Sequence, residues 1–126
     1  MRDFASIQVK SDDAEVLFQW NDFNGDDCFR SFSIDVINGA ATERFCFGEC
    51  VVWGLRKYVR FFRGQLDKAE SGFRFPDIRT CDLTRTEDGF LLQICLEEAG
   101  RSEQYRLRKP TVILDDEFLR EYDGDR

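Results

Sequence analysis

The sequence predicts a single α+β domain over residues 1–126, built on one antiparallel meander sheet of about seven or eight strands. One long central helix is expected to pack on this sheet, and a short helix is expected at the C-terminal end. Three observations predict this fold class. Apolar and polar residues alternate in several segments, turn signals separate those segments, and one middle segment has helical periodicity instead. A length of 126 residues suits one domain.

The first part of the chain predicts four strands joined by short turns. In the second of these strands, Val16, Phe18 and Trp20 share one face. Asn38-Gly39 is the strongest hairpin signal, because both residues of a type I′ turn need a positive φ. Short turns between neighbouring strands imply antiparallel pairing. The expected strands are Ile7–Lys10, Ala14–Trp20, Phe29–Ile37 and Ala40–Phe47.

The central helix is predicted from about Glu49 to Leu66 by a change of period. Its apolar residues follow one another at intervals of 1, 3, 3, 1, 3 and 4, which traces one stripe of an α-helix. Gly64 and Gly72 are expected to bracket the helix end and a following loop. The stripe consists of Val51, Val52, Leu55, Tyr58, Val59, Phe62 and Leu66.

The strand pattern returns after Pro76. Glu87-Asp88-Gly89 is another hairpin signal, and a short extended piece is expected at Pro110–Ile113. A final helix is expected to open at Asp115-Asp116-Glu117 and run to about Tyr122, since acidic side chains favour the positive end of a helix dipole. The expected strands in this part are Ile78–Thr86, Phe90–Leu96 and Glu103–Lys109.

The charge of the chain narrows the choice of partners. With 18 basic and 25 acidic residues, the net charge is −7, which repels phosphate backbones and favours a basic protein over free nucleic acid. Residues 50–75 are an exception, with six basic and two acidic groups. No apolar run reaches the ~18 residues of a membrane helix, and the first ten residues lack a signal-peptide pattern, so we expect no membrane role.

The five cysteines indicate a compartment. Their number is odd, and most lie in apolar or strand-like segments, which suits reduced, buried thiols better than a disulfide framework. We therefore expect a cytoplasmic protein. The cysteines are Cys28, Cys46, Cys50, Cys81 and Cys95.

Metal sites are not expected from the residue types present. The chain has no His. Cys46-x-x-x-Cys50 supplies only two of the four ligands that zinc needs. The segment from Asn21 to Asp27 resembles a calcium loop around Gly25, but Trp20 and Ser31 would occupy the first and last ligand positions, where acids are required. An acidic hairpin turn is the better interpretation, and we expect no metal and no cofactor.

Catalytic motifs are also missing, so we expect no enzyme. Cys50, near the predicted helix N-terminus, is the best candidate nucleophile, but no His is present to activate it. Glu97-Glu98 or Asp115-Asp116-Glu117 could act as a general acid–base pair. Their spacing does not distinguish such a pair from ordinary solvent-exposed carboxylates. No glycine-rich phosphate loop occurs.

Two groups of charged side chains are candidate binding residues. Arg56, Arg60 and Arg63 lie along one helix face, where they could grip phosphate or an acidic partner; pairing with the protein's own carboxylates is the favoured interpretation. The acidic turns could instead form a docking patch for a basic partner, if the hairpins bring them together. Ordinary solubility charge would explain them equally well. The predicted partner-binding residues are Asp12, Asp13, Asp22, Asp26, Asp27, Asp115, Asp116 and Glu117.

A likeness of layout and composition extends from about Ile7 to Tyr122. It consists of the strand meander, the central helix in Cys50–Phe62, the strand at Gly89–Leu92 and the acidic closing segment Leu114–Leu119. In these features the chain resembles the small acidic intracellular immunity proteins of bacterial polymorphic and contact-dependent toxin systems. That resemblance implies binding to, and neutralisation of, a cognate toxin, often a basic nuclease domain. It implies no catalytic residues, and it transfers no individual binding residue.

These observations lead to a functional hypothesis with two alternatives. The leading hypothesis is a cytosolic acidic binding protein that neutralises a specific basic protein partner, with an immunity protein as its concrete form. The first alternative is a chaperone or adaptor for a secreted or assembled protein, which would form dimers and recognise an extended segment. The second is a small ligand-binding protein or enzyme, which would need a sizeable pocket with convergent polar groups. The sequence leaves the oligomeric state open.

Overall fold

Residues 2–73 and 78–124 are described by the computed structural model, and they form two antiparallel sheets and two helices. The first sheet contains β1 (Ala5–Lys10), β2 (Glu15–Phe23), β3 (Cys28–Asn38), β4 (Ala41–Phe47), β5 (Cys50–Val51) and β10 (Thr111–Asp115). The second sheet contains β6 (Lys68–Phe73), β7 (Arg79–Arg85), β8 (Gly89–Leu96) and β9 (Arg101–Arg108). The helices are α1 (Val52–Phe62) and α2 (Glu117–Gly124).

The α+β class and the antiparallel pairing are confirmed, but the single meander sheet is wrong. The first sheet has the order β10-β1-β2-β3-β4, with β5 also paired to β3, and the second has the order β6-β7-β8-β9. The chain leaves the first sheet through α1, builds the second sheet, and returns so that Leu114 pairs with Ile7. Alternation shows which face of a strand is buried, but it does not show which sheet edge the strand joins.

The central helix is shorter than its apolar stripe. The predicted span from Glu49 to Leu66 is wrong at both ends, since Cys50 and Val51 pair with β3 and the helix ends at Phe62. Gly64 has a φ of +78°, a conformation that favours glycine and turns the chain away from the helix axis. The first apolar residue of the stripe, Val51, therefore belongs to a strand. The last, Leu66, is separated from the helix by the turn at Gly64.

The second sheet begins with a strand that the sequence did not predict. β6 lies within the segment expected to be a loop, and its buried apolar residues are the small Ala69 at one end and Phe73 at the other. The remaining residues are polar or glycine, so no alternation marks the strand. The expected break at Pro76 lies outside the described residues. At the other end, α2 begins at Glu117 instead of Asp115, which is the last residue of β10.

Aromatic side chains hold α1 against both sheets. The Tyr58 ring lies 5.6 Å from the ring of Phe18, 5.7 Å from Trp20 and 5.9 Å from Phe32, all on the first sheet. Its hydroxyl donates a hydrogen bond of 3.1 Å to the carbonyl oxygen of Cys81 on the second sheet. Burial raises the pKa of Tyr58 well above its usual value, so this hydroxyl keeps its proton. Half of the α1 surface is thereby buried.

Leu55 tests this packing, because its side chain is fully buried on α1. Leu55→Ala should lower the free energy of unfolding by about 2–5 kcal/mol, since it removes apolar contacts and leaves a cavity. Arg60→Ala, on the exposed face of the same helix, should change it by less than about 0.5 kcal/mol. Urea denaturation followed by circular dichroism measures both. Equal stability of the two variants would contradict the observed orientation of α1.

Candidate functional site

The exposed half of α1 carries the most prominent apolar side chain on the described surface. Trp53 is 55% exposed, and the neighbouring Val51 is 50% exposed. Because the apolar stripe faces the sheets, Trp53 points to the opposite side of the helix, together with several cationic side chains. Exposed apolar surface often marks an interaction site. Tryptophan is also enriched among the residues that contribute most to binding at protein interfaces.

Trp53 borders three surface cavities. The first, of about 400 Å³, lies between α1 and α2. The second, of about 380 Å³, also involves Asp27, Val51 and Tyr122. The third, of about 250 Å³, involves Glu49, Lys57 and Glu70 among others. The exposed indole ring thus borders one cavity lined by four arginines and two in which carboxylates and cations are mixed.

An aromatic cluster at one end of the first sheet positions α2 as a wall of the first cavity. The ring of Phe118 is fully buried and lies 4.9 Å from the rings of both Phe23 and Phe29. Tyr122 follows one turn later and contacts Phe23 at 5.6 Å. This packing places the Arg120 side of α2 opposite the exposed face of α1.

We call the first cavity the arginine groove. Its sides carry four guanidinium groups, and its apolar residues include Trp53, Val59 and Leu119. The one carboxylate in the groove belongs to Asp116. The groove is lined by Trp53, Arg56, Val59, Arg60, Arg63, Asp116, Leu119 and Arg120.

The arginine stripe is only partly neutralised from within. Arg63 forms an ion pair with Asp116, and Arg120 Nε lies 3.7 Å from the same carboxylate. The guanidinium of Arg56 lies over the ring of Tyr122, 5.6 Å from its centroid. Arg60 is exposed and makes no ion pair within the described part of the chain. The favoured interpretation, internal pairing, therefore holds for Arg63 but does not account for Arg60.

Four of the predicted partner-binding carboxylates form ion pairs within the protein. Asp13 pairs with Arg108 at 2.7 Å, which links the β1–β2 turn to the second sheet. Asp115 pairs with Arg2 at 2.6 Å, and Glu117 lies 3.4 Å from the same guanidinium. Asp116 pairs with Arg63, as described above. These side chains already have cationic partners.

The other four, Asp12, Asp22, Asp26 and Asp27, make no ion pair among residues 2–73 and 78–124. The structure does not gather them into one patch. Asp12 follows β1, whereas the other three lie near the opposite end of β2, and that nine-residue strand spans roughly 30 Å. The hairpin turns of a meander alternate between its two ends, so the acidic turns do not meet in one patch, and the binding role of these side chains stays a prediction. Only Asp27 lines a cavity beside Trp53.

The sequence interpretation overlooked Trp53 and Arg120 as site residues. The helical phase of Trp53, opposite the apolar stripe, is a signal that could have found it. No local sequence signal could have identified Arg120, because α2 has to dock beside α1 before Arg120 lies near Arg56, Arg60 and Arg63.

The thiols lack the environment of a nucleophile. Burial raises the pKa of Cys50 to about 11 and that of Cys81 to about 12, so both stay protonated at neutral pH. All five cysteines are free. Within the described ranges, no three His, Cys, Asp or Glu side chains are grouped so that they could hold a metal ion. The candidate nucleophile Cys50 is instead a buried packing residue.

The calcium-loop interpretation also fails on geometry. Trp20, at the first ligand position, is buried, and the side-chain oxygen of Asn24 accepts a 2.8 Å hydrogen bond from the Asp26 amide. The segment is a turn between two strands. The alternative acid pair Glu97-Glu98 lies exposed in the turn between β8 and β9.

No family model matches the chain, and no similar protein was found among the curated proteins or the solved structures. None of the helices within residues 2–73 and 78–124 is long and apolar enough to cross a membrane.

Asp13 should contribute pH-dependent stability. Hydrogen bonds from the Arg108 side chain hold the pKa of Asp13 well below its usual value of about 4. A lowered folded-state pKa gives stability that is present above the unfolded-state pKa and is lost as the pH falls through the folded-state pKa. Asp13→Asn should thus lower the melting temperature at pH 7, and the difference from wild type should shrink below about pH 4.

Asp12→Asn is the matched control, because this exposed neighbour makes no ion pair within the described residues. It should leave the melting temperature nearly unchanged at both pH values. Calorimetry at pH 7 and pH 3 measures all three proteins. A difference for Asp13→Asn that stays constant with pH would contradict the ion-pair role.

Gly54 should be required by the packing of Cys50. A Cβ at position 54 would lie 2.8 Å from the Cys50 sulfur, inside normal contact distance. Gly54→Ala should therefore destabilise the protein by about 1–3 kcal/mol, although alanine favours helices. In a Cys50→Ala background the same change should be neutral or stabilising by up to about 1 kcal/mol. Urea denaturation of the four proteins tests this, and a penalty that persists in that background would show that the sulfur is not its cause.

Proposed function

We propose that this protein is a non-catalytic binding protein that engages a specific, basic protein partner through the surface around Trp53. The observation that supports it most directly is the exposed pair Trp53 and Val51 beside the carboxylate of Asp27. An exposed aromatic anchor next to charged side chains is the arrangement found at the centres of protein interfaces. Neutralisation of a toxin in the cytoplasm, as by an immunity protein, is the concrete form of the proposal.

The carboxylates on the Val51 side of Trp53 favour a basic partner. Glu49 and Glu70 line one cavity there with Lys57, and Asp27 lines another with Arg56. Asp26 lies exposed in the same turn as Asp27. The whole chain carries a net charge of −7, which attracts a cationic protein from a distance. Specific interfaces bury about 1,200–2,000 Å² in total, so the contact would extend well beyond Trp53.

The first step of the test is to capture the partner. The tagged protein would be recovered from its native host at low salt, and a stoichiometric, folded, basic protein is expected to co-elute. The purified pair then allows association and dissociation rates to be measured by surface plasmon resonance at several salt concentrations. An acidic binding face should give an association rate that falls as salt rises.

Neutralising the turn beside Trp53 should slow association. Asp26→Asn with Asp27→Asn removes two carboxylates, and asparagine tolerates the positive φ of +60° at position 27. Glu97→Gln with Glu98→Gln is the matched control, because it changes the net charge equally in the exposed β8–β9 turn. We expect the first pair to slow association several-fold more than the second. Equal effects would mean that the partner senses only the total charge.

Trp53→Ala should weaken the complex mainly by faster dissociation, by about 30-fold if Trp53 is an interface centre worth about 2 kcal/mol. Ile113→Ala is the control, since Ile113 is similarly exposed, at 52%, on β10. Dissociation rates that are unchanged by Trp53→Ala would place the interface elsewhere.

A further inference from the structure

We propose that the arginine groove binds a small ligand that carries a phosphate group next to a flat ring. This site differs from the acidic surface proposed to bind a protein, because its charged side chains are mainly positive. It goes beyond the sequence hypothesis of a grip by Arg56, Arg60 and Arg63, since α2 adds Arg120 and the cavity itself.

The charge of the groove is the first argument. Four guanidinium groups line the groove together with the single carboxylate of Asp116, in a chain of net charge −7. Arginines gathered in one place repel one another, and an anion beside the exposed Arg60 would relieve that repulsion. Arg60 makes no ion pair in the described parts of the chain and has the fewest competing contacts.

The type of cation is the second argument. The groove contains arginine and no lysine. A guanidinium presents five N–H donors in a planar fork that matches the oxygen spacing of phosphate. Asp116 holds Arg63 and Arg120 from one side, which orders their side chains and leaves other N–H groups of each guanidinium available to a ligand.

The apolar part of the groove suggests the rest of the ligand. Leu119 is half-buried in the lining, Val59 lies beneath it in the core, and the Trp53 ring is 55% exposed. A flat ring can stack on an exposed indole, and base–aromatic stacking contributes about tenfold or more to affinity per ring. The groove therefore has separate places for an anionic head and an aromatic body.

Size and surroundings favour a small molecule over an acidic macromolecule. The volume of about 400 Å³ falls within the range of small-ligand pockets, about 300–1,000 Å³. A nucleic acid or an acidic protein would extend past the groove and meet Asp27, and it would be repelled by the net charge of −7. A ligand that fits inside avoids this repulsion.

Three probes separate the contributions: ADP has phosphates and a ring, inorganic pyrophosphate has the phosphates alone, and adenosine has the ring alone. Trp53 fluorescence should report binding, since the chain's other tryptophan, Trp20, is buried. Isothermal titration calorimetry gives the stoichiometry. We expect one ADP per chain, weaker binding of pyrophosphate, still weaker binding of adenosine, and a loss of ADP affinity as salt rises.

Variants assign the site. Arg60→Ala and Arg120→Ala should each weaken ADP binding about tenfold or more, since each removes charge-assisted hydrogen bonds. Arg30→Ala is the matched control: Arg30 is an exposed arginine on β3 that makes no ion pair within the described residues, and its loss should leave binding unchanged. All three side chains are exposed, so the variants should fold, as circular dichroism can check.

The outcomes separate this proposal from the protein-binding function. Asp26→Asn with Asp27→Asn should slow association with the protein partner without weakening ADP binding. Failure of ADP and pyrophosphate to bind at millimolar concentration, or equal losses for Arg60→Ala and Arg30→Ala, would overturn the small-ligand site. Binding of an oligoglutamate peptide in the absence of ADP binding would also overturn it, in favour of an acidic protein segment.

Discussion

The structure depends on the burial of one half of α1 between two sheets. Tyr58 contacts three aromatic rings of the first sheet and donates a hydrogen bond to the second. A buried hydroxyl without a partner would cost about 1–3 kcal/mol, so this bond fixes the rotation of the helix as well as its position. Once that rotation is set, the opposite half of α1 has to face solvent, and it carries Trp53 and the arginine stripe.

Ion pairs within the protein decide which charges remain available on the surface. Asp13, Asp115 and Asp116 bind arginines from distant parts of the chain, and each joins elements that lie far apart in sequence. Exposed pairs of this kind contribute little stability singly, about 0–1 kcal/mol, but they occupy carboxylates that would otherwise attract a partner. The number of acidic residues in the sequence therefore overstates how many carboxylates are available to a partner. Within the described residues, the available carboxylates include Asp26 and Asp27.

Charges of opposite sign meet at Trp53. The arginine groove lies on one side of the indole, and the cavities with Asp27, Glu49 and Glu70 lie on the others. A bipolar surface of this kind imposes orientation, because a partner has to match both signs, whereas a uniformly acidic patch accepts any basic protein. The two proposals use different sides of this surface, which meet at Trp53 and Arg56.

The sequence by itself determined the local parts of the structure. Alternation identified the strands from β1 to β4 and those of β7 to β9, Asn38-Gly39 identified a hairpin, and the apolar stripe identified α1, because each signal depends on residues close together in the chain. The same periodicity already implied that Trp53 faces away from the core. The apolar stripe predicted a helix longer than α1, because an apolar residue such as Val51 fits a strand as well as a helix.

Only the tertiary structure decided how these parts combine. The division into two sheets, the pairing of β10 with β1 and the weakly patterned strand β6 all depend on contacts between distant residues. The site depends on them too. Phe118 and Tyr122 pack α2 on the aromatic rings of the first sheet, and this docking brings Arg120 to the arginine stripe. Local periodicity specifies which face of an element is buried, whereas the partner of that face is set by packing across the whole chain.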